Sequence, residues 1–524
     1  MFYIKNLNIY MKKDLRKLIE NFSFSIEEGD KVALIGEEGN GKSTLLKAIY
    51  NKDLLEDYAD IEGEINKSKE IIAYLSQQLS KEELESTMTQ YLLSKVDYED
   101  IDYSLAYRLN DEFELEDHLF DNSKTLKDLS GGERVKFMLL CELLKNPTIL
   151  LLDEPSNDLD MESVLWLENF IKNSKEKIIF VSHDEDLIRN CSNVIIHFEQ
   201  IKNKSELRYS VSRMSYDEYI KNRDSIIASQ IKNAKKDEEE YNKQMERFRK
   251  INQNVENDLR SVSRQDPVAA KNLKDKMKSV KSMGKRFEKE KENMTKRPDF
   301  EDSVLVKFED VSISNSKQIL DLYLEELSVE GKILSKNIDL KIFGPQKIAI
   351  VGKNGAGKTT LLKKILENLD SNKIKYSYMP QNYLEELDSE ITPTEYLSGE
   401  ASKDEITRAR TYLGSMNFTR EEMFHPIENL SGGQKAKLFF IKIIFDKVNV
   451  LILDEPTRNL SPLSAPEIRR ELKNFNACII SVSHDRKYIE EVCDEVFYLD
   501  EEGLQKIDKD DYLRGLSKVS EKSK

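Results

Sequence analysis

The chain has 524 residues, of which 39% are hydrophobic and 34% are charged. This length and composition predict about three domains of a soluble protein. No apolar run approaches the roughly 18 residues of a membrane-spanning helix, and the first residues lack the basic and apolar regions of a signal peptide. Four scattered cysteines are too few for a disulfide framework, a zinc ribbon or an iron–sulfur cluster. We therefore expect a cytoplasmic protein with reduced, buried thiols.

The charge of the chain is distributed unevenly. The net charge of −16 taken alone argues against a nucleic-acid partner. Residues 221–300, however, carry 22 Lys and Arg against 14 Asp and Glu, a net charge of +8, which leaves −24 for the rest. A basic segment between two acidic lobes can bind a polyanion where the lobes cannot.

The first predicted domain, residues 1–215, has the pattern of an α/β protein. Its apolar runs at 31–36, 148–155 and 177–184 are short and do not alternate with polar residues. Such runs are typical of parallel strands that are covered on both faces. Charged amphipathic stretches lie between them and predict helices that alternate with the strands.

The second predicted domain, residues 216–300, is a helical hairpin with its tip near 263–270. Apolar residues spaced alternately three and four apart predict two antiparallel helices of a coiled coil; they are Ile227, Ile231, Ala234, Tyr241, Met245, Phe248, Val255, Leu259, Val262, Leu273, Met277, Val280, Phe287 and Met294. Pro267 suits the turn or the first residues of the second helix. The first helix, of about 45 residues, would be roughly 65 Å long.

The third predicted domain, residues 301–524, repeats the first. The glycine-rich segments GEEGNGKST (36–44) and GKNGAGKTT (352–360) are followed in both halves by LSGG[EQ], by L[LI]LDEP and by VSHD. The last three blocks are displaced by 301 residues in every case, from Ser130 to Ser431, from Glu154 to Glu455 and from His183 to His484. Such a constant displacement indicates a duplication.

Each glycine-rich segment fits the phosphate-binding pattern G-x-x-x-x-G-K-[ST] between a strand and a helix. Its glycines allow backbone N–H groups to face phosphates, its lysine reaches the β and γ oxygens, and its last hydroxyl binds Mg²⁺. The predicted nucleotide-binding residues are Gly36, Glu37, Glu38, Gly39, Asn40, Gly41, Lys42, Ser43 and Thr44 in the first half, and Gly352, Lys353, Asn354, Gly355, Ala356, Gly357, Lys358, Thr359 and Thr360 in the second.

Two adjacent carboxylates end a buried strand in each half. They are costly to bury unless a cation and a water molecule occupy them. We assign Asp153 and Asp454 to Mg²⁺, together with Ser43 and Thr359, and we assign Glu154 and Glu455 to polarising the attacking water. His183 and His484 each follow their glutamate by 29 residues. This recurrence favours a hydrogen bond to the γ-phosphate over a purely structural role.

These motifs resemble those of the ABC ATPases, whose LSGGQ signature the chain matches at 129–133 and 430–434. In that family the signature caps the γ-phosphate of a nucleotide held by the opposite domain. The resemblance therefore implies two composite sites that hydrolyse ATP to ADP and phosphate with Mg²⁺. Ser431, Gly432, Gly433 and Gln434 would complete the site of Lys42, and Ser130, Gly131, Gly132 and Glu133 would complete the site of Lys358.

Further site residues follow from the same resemblance. Gln77 and Gln381 are similar to the glutamine that contacts magnesium in the family. Tyr10 is a candidate for stacking on adenine, with an ordinary core tyrosine as the alternative, and Tyr323 is a weak candidate in the second half.

Twin nucleotide domains joined by a charged helical hairpin resemble the ABC-F family of ribosome-associated translation factors. Only 53 positions separate Gln77 from Ser130, and 50 separate Gln381 from Ser431, so there is no room for the inserted arm of housekeeping members. In the D-loop of the second half, TRNLSP at 457–462 replaces the usual TNHLD. It puts Ser461 where the D-loop of the first half, 156–161, has Asp160. This departure resembles the antibiotic-resistance group, and it leaves open whether the two sites hydrolyse ATP equally.

In that group the protein enters the ribosomal E site and its hairpin tip extends toward the peptidyl-transferase centre. The resemblance implies contacts with ribosomal RNA and P-site tRNA, displacement of lincosamides, pleuromutilins or streptogramin A, and a monomer whose two nucleotide domains pair. The contacting tip would be Arg264, Gln265, Asp266, Pro267 and Val268. Residues 271–297, with 11 Lys and Arg against 4 Asp and Glu, fit phosphate contacts, although a solvated helix face is the alternative.

Four other kinds of protein share some of these features. A fused ATPase subunit of a membrane importer would have a membrane-domain partner. We do not expect such a partner, because the two nucleotide domains of these subunits are normally joined by a short segment and not by a helical hairpin. Chromosome-maintenance ATPases interrupt a nucleotide domain with their coiled coil, and recycling ATPases carry an N-terminal cysteine cluster. A housekeeping ABC-F translation factor is distinguished from the resistance group only by function.

Overall fold

The computed structural model describes residues 2–13, 15–115, 122–201, 206–261, 267–292, 294–295, 312–370, 374–399 and 402–515. Met1–Tyr216 and Phe300–Lys524 form one unit, and Asp217–Asp299 form a second. None of the helices in the described ranges is long and apolar enough to cross a bilayer. All four cysteines are free and buried, as predicted.

The first half of the larger unit alternates strands and helices. Its strands are β1 (Tyr3–Met11), β2 (Lys17–Ser25), β3 (Lys31–Ile35), β4 (Ala59–Asn66), β5 (Ile72–Leu75), β6 (Ile149–Asp153), β7 (Lys177–Val181), β8 (Val194–Ile201) and β9 (Glu206–Ser212). Its α-helices are α1 (Lys42–Tyr50), α2 (Lys81–Glu85), α3 (Met88–Lys95), α4 (Tyr103–Glu112), α5 (Gly131–Leu143), α6 (Met161–Asn173) and α7 (Glu185–Cys191). Short 3-10 helices lie at Lys52–Leu55, Tyr98–Asp100 and Leu126–Asp128.

In the described residues, the smaller unit contains two helices, α8 (Tyr216–Ser261) and α9 (Pro267–Glu292). Tyr216, the first residue of α8, belongs to the larger unit.

The second half of the larger unit repeats this order. Its strands are β10 (Gln318–Val329), β11 (Lys332–Phe343), β12 (Lys347–Val351), β13 (Tyr376–Met379), β14 (Val450–Asp454), β15 (Cys478–Val482), β16 (Glu495–Leu499) and β17 (Leu504–Ile507). Its α-helices are α10 (Lys358–Asn368), α11 (Pro393–Ser398), α12 (Lys403–Ser415), α13 (Arg420–Phe424), α14 (Gly432–Asp446), α15 (Ala465–Asn474), α16 (Arg486–Val492) and α17 (Lys509–Leu513), and 3-10 helices lie at Tyr383–Glu385 and Ile427–Asn429.

Each half contains a six-stranded sheet with the same strand order. The orders are β5-β6-β7-β3-β8-β9 and β13-β14-β15-β12-β16-β17, and only the last pair of each sheet is antiparallel. A three-stranded antiparallel sheet, β2-β1-β4, accompanies the first, and the hairpin β10-β11 accompanies the second. The predicted α/β fold with two similar sheet domains and a helical insertion is therefore confirmed.

The central strands of both sheets are covered on both faces. Every residue of β3, β6, β7, β12, β14 and β15 is buried, as the unalternating apolar runs predicted. In the registers of the pairs, Asp153 lies opposite Val181 and Asp454 lies opposite Val482. Since the carboxyl ends of parallel strands meet at one edge, the loops after these strands are brought together there.

The two halves share a core and several buried ion pairs. Met161 of α6 packs in a cluster whose other buried members all come from the second half. Arg469 of α15 bonds Glu185 of α7 at 3.1 Å and Glu491 of α16 at 2.8 Å, and the Arg469 side chain is only 2% exposed. Arg486 of α16 bonds Glu168 of α6. Charges buried in this way are tolerated because each has a partner.

The smaller unit is an antiparallel helical hairpin. The 46 residues of α8 rise about 69 Å. Ala234 and Val255 of α8 and Val280 and Phe287 of α9 are buried, and the Phe248 and Phe287 rings meet edge to face with centroids 5.7 Å apart. The Thr295 N–H donates to the Asp237 carboxylate at 3.0 Å, so positions along the two helices pair in opposite directions.

The predicted seam of the hairpin holds except at one position. Ile231 is 49% exposed, whereas Gln230 is half-buried and lies between Ile227 and Ala234 on the three-then-four spacing. The prediction for Ile231 was wrong because 230 and 231 fit the spacing equally well and the apolar residue was preferred. Pro267 begins α9, as predicted. Arg264, Gln265 and Asp266 of the predicted tip, and Val262 of the seam, lie outside the described residues.

Replacing Arg469 with Met is expected to destabilise the larger unit by about 3–5 kcal/mol, because Glu185 would remain buried without a cationic partner. The control is Arg470→Met on the same helix, where the side chain is 60% exposed and, among the described residues, pairs with Glu467 and Glu471. Urea unfolding followed by circular dichroism should show a lower midpoint for Arg469→Met and little change for Arg470→Met. Equal midpoints for the two variants would mean that the buried pair does not join the halves.

Candidate functional site

The first phosphate loop connects β3 to α1, and the second connects β12 to α10. Gly36 and Gly352 have positive φ angles of 142° and 151°. A Cβ at these positions would lie 2.3 Å from the Phe198 carbonyl oxygen and 2.4 Å from that of Leu499. Only glycine fits such a close approach of two backbones. The loops can therefore turn back on themselves and direct their N–H groups inward.

The lysine of each loop is buried at the centre of the turn. The Lys42 ammonium donates to the carbonyl oxygens of Gly36 and Glu37, both at 2.8 Å. Lys358 donates to the carbonyl oxygens of Gly352 and Lys353, both at 2.9 Å. Burial lowers the pKa of Lys358, and the nearby carboxylates of Glu455, Asp160 and Asp454 oppose that change. Phosphate oxygens can replace the carbonyl partners without moving the lysine from the loop.

The hydroxyl and the aspartate assigned to magnesium lie together in both halves. The Ser43 hydroxyl donates to Asp153 Oδ1 at 2.8 Å, and burial raises the pKa of Asp153. Burial also raises the pKa of Asp454, while a hydrogen bond from Thr359 opposes the rise. Asp454 Oδ2 is buried and has no hydrogen-bond partner among the described residues. A hydroxyl beside a buried carboxylate with a free oxygen is a donor set that fits Mg²⁺.

A magnesium ion at either site would need ligands beyond this pair. In the described ranges no three His, Cys, Asp or Glu side chains are arranged to hold a metal. Mg²⁺ commonly binds one or two protein groups and takes its other ligands from substrate phosphates and water. When bound, the ion would neutralise phosphate charge beside the reacting bond.

Tyr74 is a site residue that sequence reasoning missed. Its hydroxyl donates to Asp153 Oδ2 at 3.0 Å, whereas Ser43 donates to Oδ1 of the same carboxylate. Tyr378 lies at the equivalent place in β13, and its hydroxyl is buried without a partner among the described residues. A tyrosine three residues before the predicted glutamine in both halves was the available signal.

The glutamates assigned to the attacking water have the same unusual backbone in both halves. Glu154 and Glu455 have φ angles of 50° and 51°, a left-handed conformation that is strained for a residue other than glycine. Their carboxylates each accept the backbone N–H of the assigned histidine, His183 or His484, at 3.2 Å. The repeated geometry turns each carboxylate toward the histidine at the end of the neighbouring strand.

The histidine side chains differ between the halves. His183 Nε2 lies 3.1 Å from Glu154 Oε1, and its Nδ1 lies 2.7 Å from the Leu460 carbonyl oxygen of the other half. His484 Nε2 is 3.9 Å from Glu455 Oε1, and neither ring nitrogen has a hydrogen-bond partner in the described part of the chain. His183 is thus engaged, whereas His484 can still bind a ligand.

The pKa shifts of the histidine and the glutamate have opposite directions in the two halves. Burial opposes protonation of His183, but the Glu154 carboxylate outweighs it and raises the pKa of His183. The same pair lowers the pKa of Glu154 although burial would raise it. Burial lowers the pKa of His484 to about 3, aided by the Lys358 charge. Burial and the Asp454 charge raise the pKa of Glu455 to about 7.

The signature segments begin two helices. Ser130 is the N-cap of α5 and Ser431 is the N-cap of α14, and each forms a reciprocal capping box with the residue three positions on. The Glu133 side chain accepts the Ser130 N–H at 2.8 Å, and the Gln434 side chain accepts the Ser431 N–H at 2.9 Å. Glu133 and Gln434, predicted to contact ATP, thus stabilise the first turns and leave glycine N–H groups to face a ligand.

Each phosphate loop faces the signature helix of the other half, as the predicted pairing requires. The Gly433 N–H donates to Glu38 Oε2 at 2.6 Å, and Lys437 lies 3.2 Å from Glu37 Oε2. In the second site, the Asn354 amide donates to the Asp158 carbonyl oxygen, and Gly131 lies beside both residues. The structure brings loop and signature together in both composite sites.

The second composite site encloses a cavity of about 860 Å³. Its lining includes Lys358, Glu455, His484 and Gln381 from the second half and Gly131 and Asp158 from the first. The volume falls in the usual range for small-molecule sites. Gln77, the counterpart of Gln381, is exposed in the bend after β5.

The candidate adenine-stacking residues are both accessible. Tyr10 of β1 is half-buried, and the Lys17 ammonium lies 5.9 Å from its ring centroid. It is therefore not the core tyrosine of the alternative interpretation. Tyr323 of β10 is 62% exposed. Stacking on adenine stays a prediction for both.

The chain is similar in sequence to known ATP-binding proteins. The sequence profile of the family described as ABC transporter matches residues 19–157 and 335–458, half of the chain. The ATP-binding protein YdiF of Bacillus subtilis is 27% identical over 92% of this chain and 77% of its own length. Human ATP-binding cassette sub-family F member 3 is 29% identical over 73% of this chain and 51% of its own length.

A solved structure has the same fold. It is the complex of archaeal ribosomal stalk protein aP1 and archaeal ribosome recycling factor aABCE1, which aligns with a TM-score of 0.57 and 17% identity over 98% of this chain and 92% of that chain.

Replacing Glu154 and Glu455 together with Gln is expected to lower ATP turnover by about 100-fold or more while nucleotide binding is retained. The amides cannot accept a proton from water, but the Lys42 and Lys358 loops are unchanged. Phosphate release and equilibrium dialysis with Mg²⁺ and ATP measure the two effects. Glu421→Gln, at an exposed position of α13, is the control and should match the wild type. Normal turnover in the double variant would remove both glutamates from the chemistry.

Proposed function

The chain belongs to the ABC family of ATP-binding proteins, as an ABC-F ATPase with two ABC domains, and from this premise we propose that it acts in the cytoplasm on the ribosome. It binds at the E site and uses ATP and Mg²⁺ to control that binding. Its hairpin linker rearranges the peptidyl-transferase region or the P-site tRNA and so displaces bound antibiotics.

The observation that carries ribosome binding is the charge and exposure of the hairpin. Residues 221–300 have a net charge of +8 in a chain of −16. Four lysines of α9 have exposed side chains: Lys276, Lys278, Lys281 and Lys285. Since RNA is a dense polyanion, exposed cations on a long helix are suited to its phosphates. The similar solved structure includes a ribosome recycling factor, which favours the same class of partner.

Antibiotic displacement is the finer part of the proposal. It is supported by the Ser461 departure in the second half, which resembles the resistance group, and by the length of α8, which rises about 69 Å. A housekeeping translation factor would share the fold, the sites and the basic hairpin. Only drug susceptibility separates the two functions.

Reversing Lys276, Lys278, Lys281 and Lys285 to Glu is expected to weaken ribosome association by about 10-fold or more and to flatten its salt dependence, since each lost phosphate contact removes counterion release. Co-sedimentation with ribosomes should be measured with Mg²⁺ and ATP in a Glu154→Gln, Glu455→Gln background, which holds ATP without turnover. Lys232, Lys235, Lys236 and Lys243 of α8, also exposed, provide a matched charge-reversal control. Equal losses from both sets would show that α9 has no special role.

Replacing residues 264–268 with a Gly-Ser turn is expected to abolish protection against drugs of the peptidyl-transferase centre while ATP hydrolysis continues, because the seam of the hairpin is untouched and the change in loop closure is small. The minimal inhibitory concentrations of a lincosamide and a pleuromutilin, measured in a sensitive host beside the ATPase rate, test this. Protection that persists without the tip would contradict a direct role of the tip. Ribosome binding with no protection, even by the wild type, would leave a translation factor without resistance.

A further inference from the structure

The two phosphate loops differ at the third residue of the glycine-rich segment, and this residue contacts the other half. Glu38 of the first loop stands where the second loop has Asn354. The Glu38 carboxylate accepts the Gly433 N–H at 2.6 Å, and the same oxygen lies 3.0 Å from where a Cβ of Gly432 would be. Asn354 instead donates to the Asp158 carbonyl oxygen. An anion from the protein itself thus occupies the amino terminus of the 15-residue helix α14.

Glu37 adds a second carboxylate to the same interface. It accepts hydrogen bonds from the hydroxyls of Ser461, at 2.9 Å, and Ser464, and it lies 3.2 Å from the Lys437 ammonium. Burial would raise the pKa of Glu37, but Lys437 and the two hydroxyls outweigh it and lower that pKa. The counterpart in the second loop, Lys353, is exposed.

The serine at 461 is compatible with Glu37 in a way that aspartate is not. The first half has Asp160 at the equivalent position, where its side chain caps α6. An aspartate at 461 would set a second buried carboxylate against Glu37, and like charges so placed cannot both ionise easily. The unusual D-loop of the second half and the unusual phosphate loop of the first therefore form one contact.

The rest of the first site is also occupied by protein groups, whereas the rest of the second site is open to a ligand. In the first site, His183 is engaged by Glu154 and by the Leu460 carbonyl oxygen. In the second site, both nitrogens of His484 lack a partner among the described residues, and a cavity of about 860 Å³ contains the lysine and the glutamate. A triphosphate entering the first site must displace Glu38 and approach two carboxylates, whereas the second loop offers it Lys353 and Asn354.

We propose that Glu38 is an internal substitute for a nucleotide phosphate on the second signature helix, so that the first composite site binds Mg²⁺ and ATP more weakly than the second. At ATP concentrations that fill only the tighter site, the second site then performs most of the turnover. This inference rests on the proposed nucleotide-binding roles of the two loops and needs no ribosome.

The test is the number and affinity of nucleotide sites per chain. Equilibrium dialysis with Mg²⁺ and labelled ATP, in the Glu154→Gln, Glu455→Gln background, should find one tight site and one at least about 10-fold weaker. Glu38→Asn should tighten the weak site about 10-fold or more, because the carboxylate no longer competes. Asn354→Glu, the reciprocal exchange, should weaken the tight site. Lys42→Ala and Lys358→Ala assign the weak and tight sites to their loops.

Two results would overturn the proposal. One is two sites of equal affinity in the Glu154→Gln, Glu455→Gln chain, and the other is a weak site whose affinity Glu38→Asn leaves unchanged. Thermal unfolding of each variant shows whether a loss is due to misfolding. Glu38→Asn is expected to gain affinity, which a misfolded chain cannot do. The dialysis contains no ribosomes, so failure of the proposed ribosomal role would not alter its outcome.

Discussion

Each phosphate loop of this chain is completed by the amino terminus of a helix from the other half, and this constraint governs most of the larger unit. A helix amino terminus presents unpaired N–H groups that need an acceptor. In the first site that acceptor is Glu38, through Gly433. The D-loops lie against the same surfaces, through Leu460 and Asp158. The two halves are therefore not independent units joined by a linker, since each phosphate loop makes contacts with the other half.

The pairing of the halves also accounts for the charges buried between them. Arg469 and Arg486 of the second half lie against Glu185 and Glu168 of the first. Buried ion pairs give little net stability compared with apolar contacts, but they penalise any arrangement in which one charge loses its partner. They therefore select one relative position of the halves, and the loops and signatures need that position to face each other.

Local sequence signals predicted the elements of the fold and the groups on each loop. Buried parallel strands have no alternation of apolar and polar residues. Glycine is required at 36 and 352 because another backbone segment lies too close for a Cβ atom. The contacts between halves had no such signal. Glu37 and Ser461 are 424 residues apart, so the departure of the D-loop could be seen but not its reason. Tyr74 was missed because the recurring tyrosine three residues before the glutamine does not reveal that its hydroxyl lies beside Asp153.

The place of Met161 has a consequence for synthesis of the chain. This side chain is 8% exposed, in a core whose other buried members begin at Ala349. Translation proceeds from the amino terminus, so α6 leaves the ribosome well before its packing partners and must keep an apolar surface uncovered while the whole hairpin is made. Domains made early fold as units when their cores are complete. Here the apolar surface of α6 is covered only after most of the second half has been made. Docking of the two halves therefore belongs to the last stage of folding.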